Sequence, residues 1–396
     1  MIYSGFQGMK LSLLGFGTMR LPLLSGKPDG PVDEAQVEEM VKYAMEHGVN
    51  YFDTAYPYHG GESERIIGRA LKPYPREEFY LATKYPGHQI SKSYEPSVIF
   101  EEQLEKCQVE YFDFYLLHNV HENSIRTYMD PKWGIVDYFV EQKRLGRIRH
   151  LGFSSHGNLD NLKEFLDVYG DVMEFCQIQL NYLDWTLQGA KEKYELLTER
   201  GIPVWVMEPV RGGKLAKLPK AYAEKLGNMR PGEGSPAWAF RFLQGLSNVK
   251  MILSGMSSLT QMEENVRTFE ERSPLSGGER SLLFEAAEDM KNSIPCTACR
   301  YCVEGCPKGL DIPALLALYN DLRFAPTVNV GMRLDALPEE KRPEACVGCG
   351  KCTKVCPQKI DVPGAMKEFA GAIAEMPSWA EICRQREEAA EKKRDR

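Results

Sequence analysis

Between Met9 and Glu270 short apolar runs alternate with amphipathic stretches. Eight runs, LSLLGFG, NYFDTA, EFYLATK, FDFYLLH, RHLGFSS, FCQIQLN, PVWVMEP and VKMILSG, read as strands. Segments such as EAQVEEMVKYAMEHG, PSVIFEEQLEKC and NLKEFLDVYG space their apolar residues as helices do. Strands separated by helices pair in parallel through crossovers, and eight such units in about 250 residues predict an α/β fold, a closed (β/α)8 or TIM barrel. A doubly wound open sheet is the alternative. Such a sheet would carry GxGxxG after its first strand, whereas Gly15-Phe16-Gly17-Thr18-Met19-Arg20 lacks the third glycine. Before the barrel, Ile2 to Ser12 predicts a short hairpin plugging its base.

After Glu270 the pattern breaks at ERSPLSGGERSLL, which places a boundary near Pro274 and divides the chain into a barrel, 1–273, and a mostly helical C-terminal domain, 274–396. Eight of the 11 cysteines lie in this second part, as Cys296, Cys299, Cys302 and Cys306 and again as Cys346, Cys349, Cys352 and Cys356, each run reading CxxCxxCxxxCP. Three thiolates at this pitch in one turn-rich loop wrap three corners of an iron–sulfur cube, whereas zinc draws on two separated pairs. The expectation is a ferredoxin-like double 4Fe-4S domain. In such pairs the fourth cysteine serves the other cube, so Cys356 joins Cys296, Cys299 and Cys302, and Cys306 joins Cys346, Cys349 and Cys352. Two zinc ions, or cubes that only hold the domain together, are the alternatives. Cys107 and Cys176 read as inert core thiols, Cys383 has no metal spacing, and the closing RQREEAAEKKRDR reads as a solvated, partly frayed helix end.

Composition narrows the partners. Lys+Arg 49 against Asp+Glu 56 gives a net charge of −7, which disfavours a protein that coats nucleic acid. No apolar run approaches the roughly 18 residues of a membrane span, and MIYSGFQGMKLS lacks the layout of a secretory signal, so a cytoplasmic location without membrane contact is expected. A reducing cytosol leaves thiols free for metals.

Chemistry enters with four residues at or just past strand ends, where barrel enzymes keep their catalytic groups: Asp53, Tyr58, Lys84 and His118. Singly each has an ordinary explanation, as a turn former, a surface ring or a solvated amine. Together they suit proton delivery to a carbonyl oxygen. A free phenol, with pKa about 10, is a poor acid unless a nearby cation stabilises its phenolate. Lys84 supplies that cation, Asp53 holds Lys84, and His118 hydrogen-bonds the substrate oxygen or helps pass the proton.

The set resembles the tetrad of the aldo-keto reductase superfamily. The resemblance runs from GFGTMRLP through DTAYPYHGGESERIIGRAL, ATK and LLHN. It implies an NAD(P)H-dependent oxidoreductase acting on a small aldehyde or ketone. It also implies a nicotinamide site: Gly17, Thr18, Met19 and Asp53 at the first strand ends, Ser154 and Ser155 in GFSSH, and Gln177 for the carboxamide. Met207, Glu208, Val210 and Gly212 in MEPVRGGKL would lie over the pyrophosphate, with Gly255, Ser257, Gln261, Glu264 and Asn265 in GMSSLTQMEEN at the adenosine end. Two positions depart from the pattern. Met207 stands where the family commonly stacks an aromatic ring, and Gly255 and Gln261 stand where many members grip a 2′-phosphate with Lys and Arg. NADP is favoured slightly over NAD, with Arg267 as a neighbouring cation. Barrel and double cluster together resemble the subgroup with a C-terminal 4Fe-4S ferredoxin-type domain. His59, His88, His121, His156 and Trp133 are candidates for the substrate pocket. Two other functions stay open: a one-electron relay to a ferredoxin or flavoprotein partner, and a nicotinamide-sensing subunit without turnover.

Overall fold

The computed structural model describes residues 1–25, 30–291, 293–296 and 298–394. Two strands, β1 (Tyr3–Phe6) and β2 (Met9–Ser12), form an antiparallel hairpin. Eight more follow: β3 (Leu14–Gly17), β4 (Tyr51–Asp53), β5 (Tyr80–Tyr85), β6 (Phe112–Val120), β7 (Ile148–Ser155), β8 (Cys176–Gln179), β9 (Val204–Met207) and β10 (Val249–Gly255). These eight pair in parallel and in chain order, β10 closing on β3, so the barrel expected from the eight apolar runs is the one observed. The hairpin closes its base: Phe6 and Leu11 share an apolar cluster with Tyr51, Phe114, Phe175, Trp205 and Met251 inside the barrel.

The alternation of a strand turns this plug into a site-building device. Side chains two residues apart share a face. Above Tyr51 on the inner face stands Asp53, above Ala82 stands Lys84, above Phe175 stands Gln177 and above Trp205 stands Met207. Each strand is therefore apolar at the base and chemical at its C-terminal end.

The helix Gly277–Lys291 packs Leu283 and Ala287 into the barrel core, so by packing it belongs with the barrel although it follows the expected boundary at Pro274. Beyond it lies a module built twice. The short helix Tyr301–Glu304 and the longer Ile312–Phe324 recur as Lys351–Val355 and Val362–Ala374, the longer pair starting and ending 50 residues apart. The left-handed residues recur at the same offset: Ala298 and Gly348, Arg300 and Gly350, Gly309 and Lys359. Asp311 and Asp361 cap the two longer helices. Leu310, Ile312, Leu315, Met366 and Phe369 give the module its own core. Two further helices, Val328–Asp335 between the repeats and Trp379–Arg394 after them, face the barrel. Among the described residues no helix is long and apolar enough to cross a membrane.

Candidate active site

At the mouth of the barrel the four sequence-predicted side chains meet. Lys84, fully buried, donates from Nζ to Asp53 Oδ1 at 2.6 Å and to the Thr54 carbonyl at 2.7 Å. The same ammonium lies 5.0 Å from the centre of the Tyr58 ring, where its charge favours the phenolate. Tyr58 and His118 meet edge to face with ring centres 5.8 Å apart. Burial alone would lower the Lys84 amine, but Asp53 and Tyr58 more than reverse it, so the amine stays charged. Surrounding protein raises the Tyr58 phenol against the pull of Lys84, so it carries its proton at neutral pH. Burial, with His88 and Lys84 beside it, pushes His118 well below the usual imidazole range and keeps it neutral.

Local backbone aims these groups. After Tyr58 three successive residues, His59, Gly60 and Gly61, adopt positive φ (52°, 63° and 89°), turning the loop back over the mouth. Such strain in a non-glycine residue persists only where its surroundings hold it. Here His59 Nε2 lies 3.2 Å from the Leu21 nitrogen and 3.1 Å from the Thr18 carbonyl, accepting from the first or donating to the second according to its tautomer. Thr18 Oγ1 bonds the Asp53 carbonyl at 3.0 Å and Ser63 Oγ at 2.7 Å, locking the ends of β3 and β4 together. In β6 the ladder to β7 shifts between Leu117 and Val120, and Asn119 there has φ 57°. Such an irregularity re-aims neighbouring side chains, here beside His118.

The residues expected to hold nicotinamide line the neighbouring arc, in mixed roles. Ser154 accepts the Asn119 N–H at 2.8 Å, and Ser155 bonds the Val120 carbonyl and the Gly157 N–H. Gln177 donates to Met207 Sδ at 3.6 Å, while its Oε1 is buried with no partner. A buried acceptor left unpaired costs about 1–3 kcal/mol, and a carboxamide NH2 is the partner that would relieve it. In the loop after β9, Glu208, Arg211, Gly212 and Gly213 all have positive φ, and Val210 lies half-buried among them. Gly255 and Gly212 face each other across Arg20, which a Cβ at Gly212 would strike at 2.7 Å. Met19 is exposed, and Ser257 donates to the Arg20 carbonyl. Gln261 caps the Ser257 N–H, and Glu264 is exposed. Asn265 is turned inward onto Ser254, and Arg267 lies at the far end of that helix beside Tyr43.

The pocket candidates separate. His88 lies tilted against His118, ring centres 4.3 Å apart. His59 is structural, and Trp133 packs on Tyr94. His121 and His156 belong to a polar seam with the module: Asn329 meets His156 at 3.2 Å, Asn123 donates to the Met332 carbonyl at 3.0 Å, and Arg333 reaches Glu122 at 3.6 Å. A second seam is ionic. Buried Arg211, in the loop after β9, pairs with Asp184 at 3.0 Å and with Asp321 of the module helix Ile312–Phe324.

The thiols gather in two sets. One hollow is lined by Cys306, Cys346, Cys349 and Cys352, and another by Cys296, Cys299, Cys302 and Cys356. Each set thus joins three cysteines of one repeat with the fourth of the other. Ile312 and Val362 line both cavities, so the two abut. Among the described residues no three His, Cys, Asp or Glu side chains converge on a single ion; the thiols ring a volume instead, which suits the donor set of a cube.

Sequence reading missed Arg20, Arg211 and the helix Trp379–Arg394. Just before the stretch read as a solvated helix end, which starts at Arg384 and is exposed through Ala389, Trp379, Ile382 and Cys383 take the i, i+3, i+4 spacing of a packed face. Trp379 and Cys383 are buried.

Comparison with known proteins agrees with this geometry. The Aldo/keto reductase family profile matches residues 13–277, and a 4Fe-4S dicluster domain profile matches residues 295–360. The NADH-specific methylglyoxal reductase of Escherichia coli is 26% identical over 332 residues, covering 72% of this chain and 98% of that protein. The probable aldo-keto reductase 1 of Glycine max is 30% identical over 219 residues, covering 53% of this chain and 59% of that protein. Among solved structures, the holo form of aldo-keto reductase AKR11C1 from Bacillus halodurans superposes with a TM-score of 0.55 at 26% identity, covering 70% of this chain and 93% of that one.

Proposed function

Since the chain belongs to the aldo/keto reductase family and carries a 4Fe-4S dicluster domain, we propose that this oxidoreductase reduces the carbonyl of a small aldehyde or ketone with NAD(P)H, Tyr58 donating the proton. The observation that carries the reading is the buried Lys84 ammonium, held by Asp53 at 2.6 Å and set against the Tyr58 phenol.

Nicotinamide, when bound, supplies hydride to the carbonyl carbon. Its fit rests on the orphaned Gln177 Oε1, on the Ser154 hydroxyl, and on the glycine-lined gap around Arg20 for the phosphates. As charge develops on the carbonyl oxygen, Tyr58 passes its proton there, and the Lys84 ammonium stabilises the phenolate left behind. Neutral His118 donates a hydrogen bond to the same oxygen. Buried Asp53 takes no proton; it keeps Lys84 charged and in place. The low polarity of the surroundings strengthens each of these interactions.

In the module, Cys296, Cys299, Cys302 and Cys356 would hold one 4Fe-4S cube and Cys306, Cys346, Cys349 and Cys352 the other. Each cube takes one electron at a time whereas nicotinamide delivers two as hydride, so carbonyl reduction proceeds without them and they organise the module. A second reading, a relay to a ferredoxin or flavoprotein, is favoured by one observation: the abutting cavities share Ile312, the first residue of the helix that reaches Arg211 in the cofactor loop. Turnover of Tyr58→Phe against wild type on a panel of carbonyls tests the first reading, with nicotinamide affinity measured in parallel. Loss of reduction with affinity retained is expected. Undiminished reduction by the variant, or dependence of wild-type turnover on reduced clusters, overturns it.

A further inference from the structure

The helix Trp379–Arg394 buries Trp379 and Cys383 toward the barrel, and Arg386, exposed, follows them on the same stripe, while Arg384 lies on the outer face. The helix is set in place by Trp379, whose N–H donates to Asp335 at 2.9 Å, and it packs against the turn that carries Tyr58. On the outer face Arg384 is saturated, paired with Glu381 at 2.6 Å and with Glu388. Arg386 is not. Its described neighbours one turn away are Ile382, Cys383 and Ala389, none of which carries a carboxylate. Among the described residues none lies within ion-pair distance.

Its guanidinium instead covers the Trp379 ring at 5.2 Å. From there an unbroken series of rings leads inward: Trp379 stacks on His88 at 5.8 Å with 22° between planes, His88 meets His118 at 4.3 Å, and His118 meets Tyr58 at 5.8 Å. Along this series Trp379 Nε1 and His88 Nδ1 are buried without partners. The positive charge of Arg386 is felt at both imidazoles, where it disfavours protonation. An exposed cation with no counter-ion among the described residues and a buried, unpaired indole N–H, joined to the proton donor through two imidazoles, form half of an anion site.

We propose that Arg386 and Trp379 make this enzyme selective for oxo-acids, that is, aldehydes or ketones that also carry a carboxylate or phosphate. The carbonyl oxygen sits at Tyr58 and His118, the anionic group takes the Arg386 guanidinium and the Trp379 Nε1–H, and His88 forms the wall between. The inference rests on the reductase reading and adds its substrate class. It also gives the C-terminal helix a function, since the substrate pocket is complete only when that helix is seated.

The test uses the full chain with clusters loaded and matched substrate pairs: 4-oxobutanoate against butanal, and glyceraldehyde 3-phosphate against glyceraldehyde. A hydrogen-bonded ion pair predicts kcat/KM about ten- to a hundredfold higher for the charged member of at least one pair, and the pair that shows it tells carboxylate from phosphate. In Arg386→Gln that ratio falls to within about threefold of unity, mainly through KM. In Arg384→Gln, on the outer face, it stays as in wild type. Titration calorimetry with succinate and with inorganic phosphate gives a readout without turnover, and one of the two is expected to bind at least tenfold more weakly to Arg386→Gln. A wild type indifferent to charge, or a preference that survives Arg386→Gln, overturns the inference while leaving the reductase reading intact. If no carbonyl is reduced but anion binding still depends on Arg386, the site stands and the reductase reading falls.

Discussion

The barrel and the cluster module build their sites in opposite ways. In the barrel, chemistry is assembled from strands β4, β5 and β6, each set by ladder register and sharing its inner face with apolar residues below. Its central group, Lys84, already has its partners, so the tetrad is complete before any ligand arrives. In the module, three of four thiols in each set come from one short loop, and the core that supports them is small. A small core with a metal at its centre draws folding energy from the metal. One site is therefore organised by the fold, and the other organises it.

The largest effect expected from this contrast is at Tyr58. Removing a positioned general acid costs about 10²–10⁴ in rate, so Tyr58→Phe should lower kcat by that range with nicotinamide affinity and thermal stability nearly unchanged. Lys84→Met should slow turnover as much and also destabilise the barrel, because it strands buried Asp53; breaking a buried pair costs about 3–5 kcal/mol. Equilibrium denaturation beside steady-state kinetics separates the two. A Lys84→Met protein as stable as wild type would mean that the pair is not sealed from water.

Iron removal is the next largest and should divide the molecule. Chelation under reducing conditions is expected to abolish the module's helical signal while the barrel unfolds at nearly its original temperature. The crossed ligand sets sharpen this. With crossing, Cys299→Ser combined with Cys356→Ser damages one cube and leaves about half the iron. Without crossing it damages both, and little iron remains.

Where the two parts meet, Asp321→Asn should leave Arg211 underpaired in the loop after β9. Its counterpart in the second repeat, 50 residues on, is Gly371, so this contact was gained by one repeat alone. The nine residues from Ile312, at the cavities, to Asp321 span about 13–14 Å of helix. A several-fold weaker nicotinamide affinity and separate melting of barrel and module are expected, and unchanged affinity would show that the loop after β9 holds its shape without the module.

How much of this was legible in the chain follows from the same contrast. The eight apolar runs announced the barrel because each is bounded by helical spacing, and the thiol runs announced their sets because ligands of one cube lie within a few residues. Asp53, Tyr58, Lys84 and His118 were legible as strand-end residues. Their mutual geometry was not, since it depends on register and on the left-handed turn at His59. Arg211, Arg386 and Trp379 were missed for a shared reason. Their partners, Asp321, the barrel mouth and His88, are about 110 to 330 residues away in the chain, and no local pattern encodes such a contact. The i, i+3, i+4 spacing of Trp379, Ile382 and Cys383 is the signal that could have found the buried face, but not what it covers.

The smallest effect concerns pH and the polar seam. Burial pushes His121 down to about 4 and His156 to about 3, Lys193 adding to the second. The groups facing them are Glu122, Arg333 and Lys193, the last itself held at about 8 by burial and by Arg333. An unfolded or undocked histidine takes its proton near 6.5, so below that pH the open state binds protons that the docked state refuses. Stability is then fully present above about pH 6.5 and is lost as pH falls toward 4, by about 1.4 kcal/mol per unit for each histidine. Between pH 7 and 5.5 both histidines lie well above their docked values, so the two contribute about equally. Denaturation between pH 7 and 5.5 should show a drop of about 1–3 kcal/mol in the transition that separates module from barrel. His121→Gln should halve that dependence and His121→Gln with His156→Gln should flatten it, both without changing iron content, and a slope that survives the double substitution would place the acid sensitivity in the carboxylates of the ionic seam.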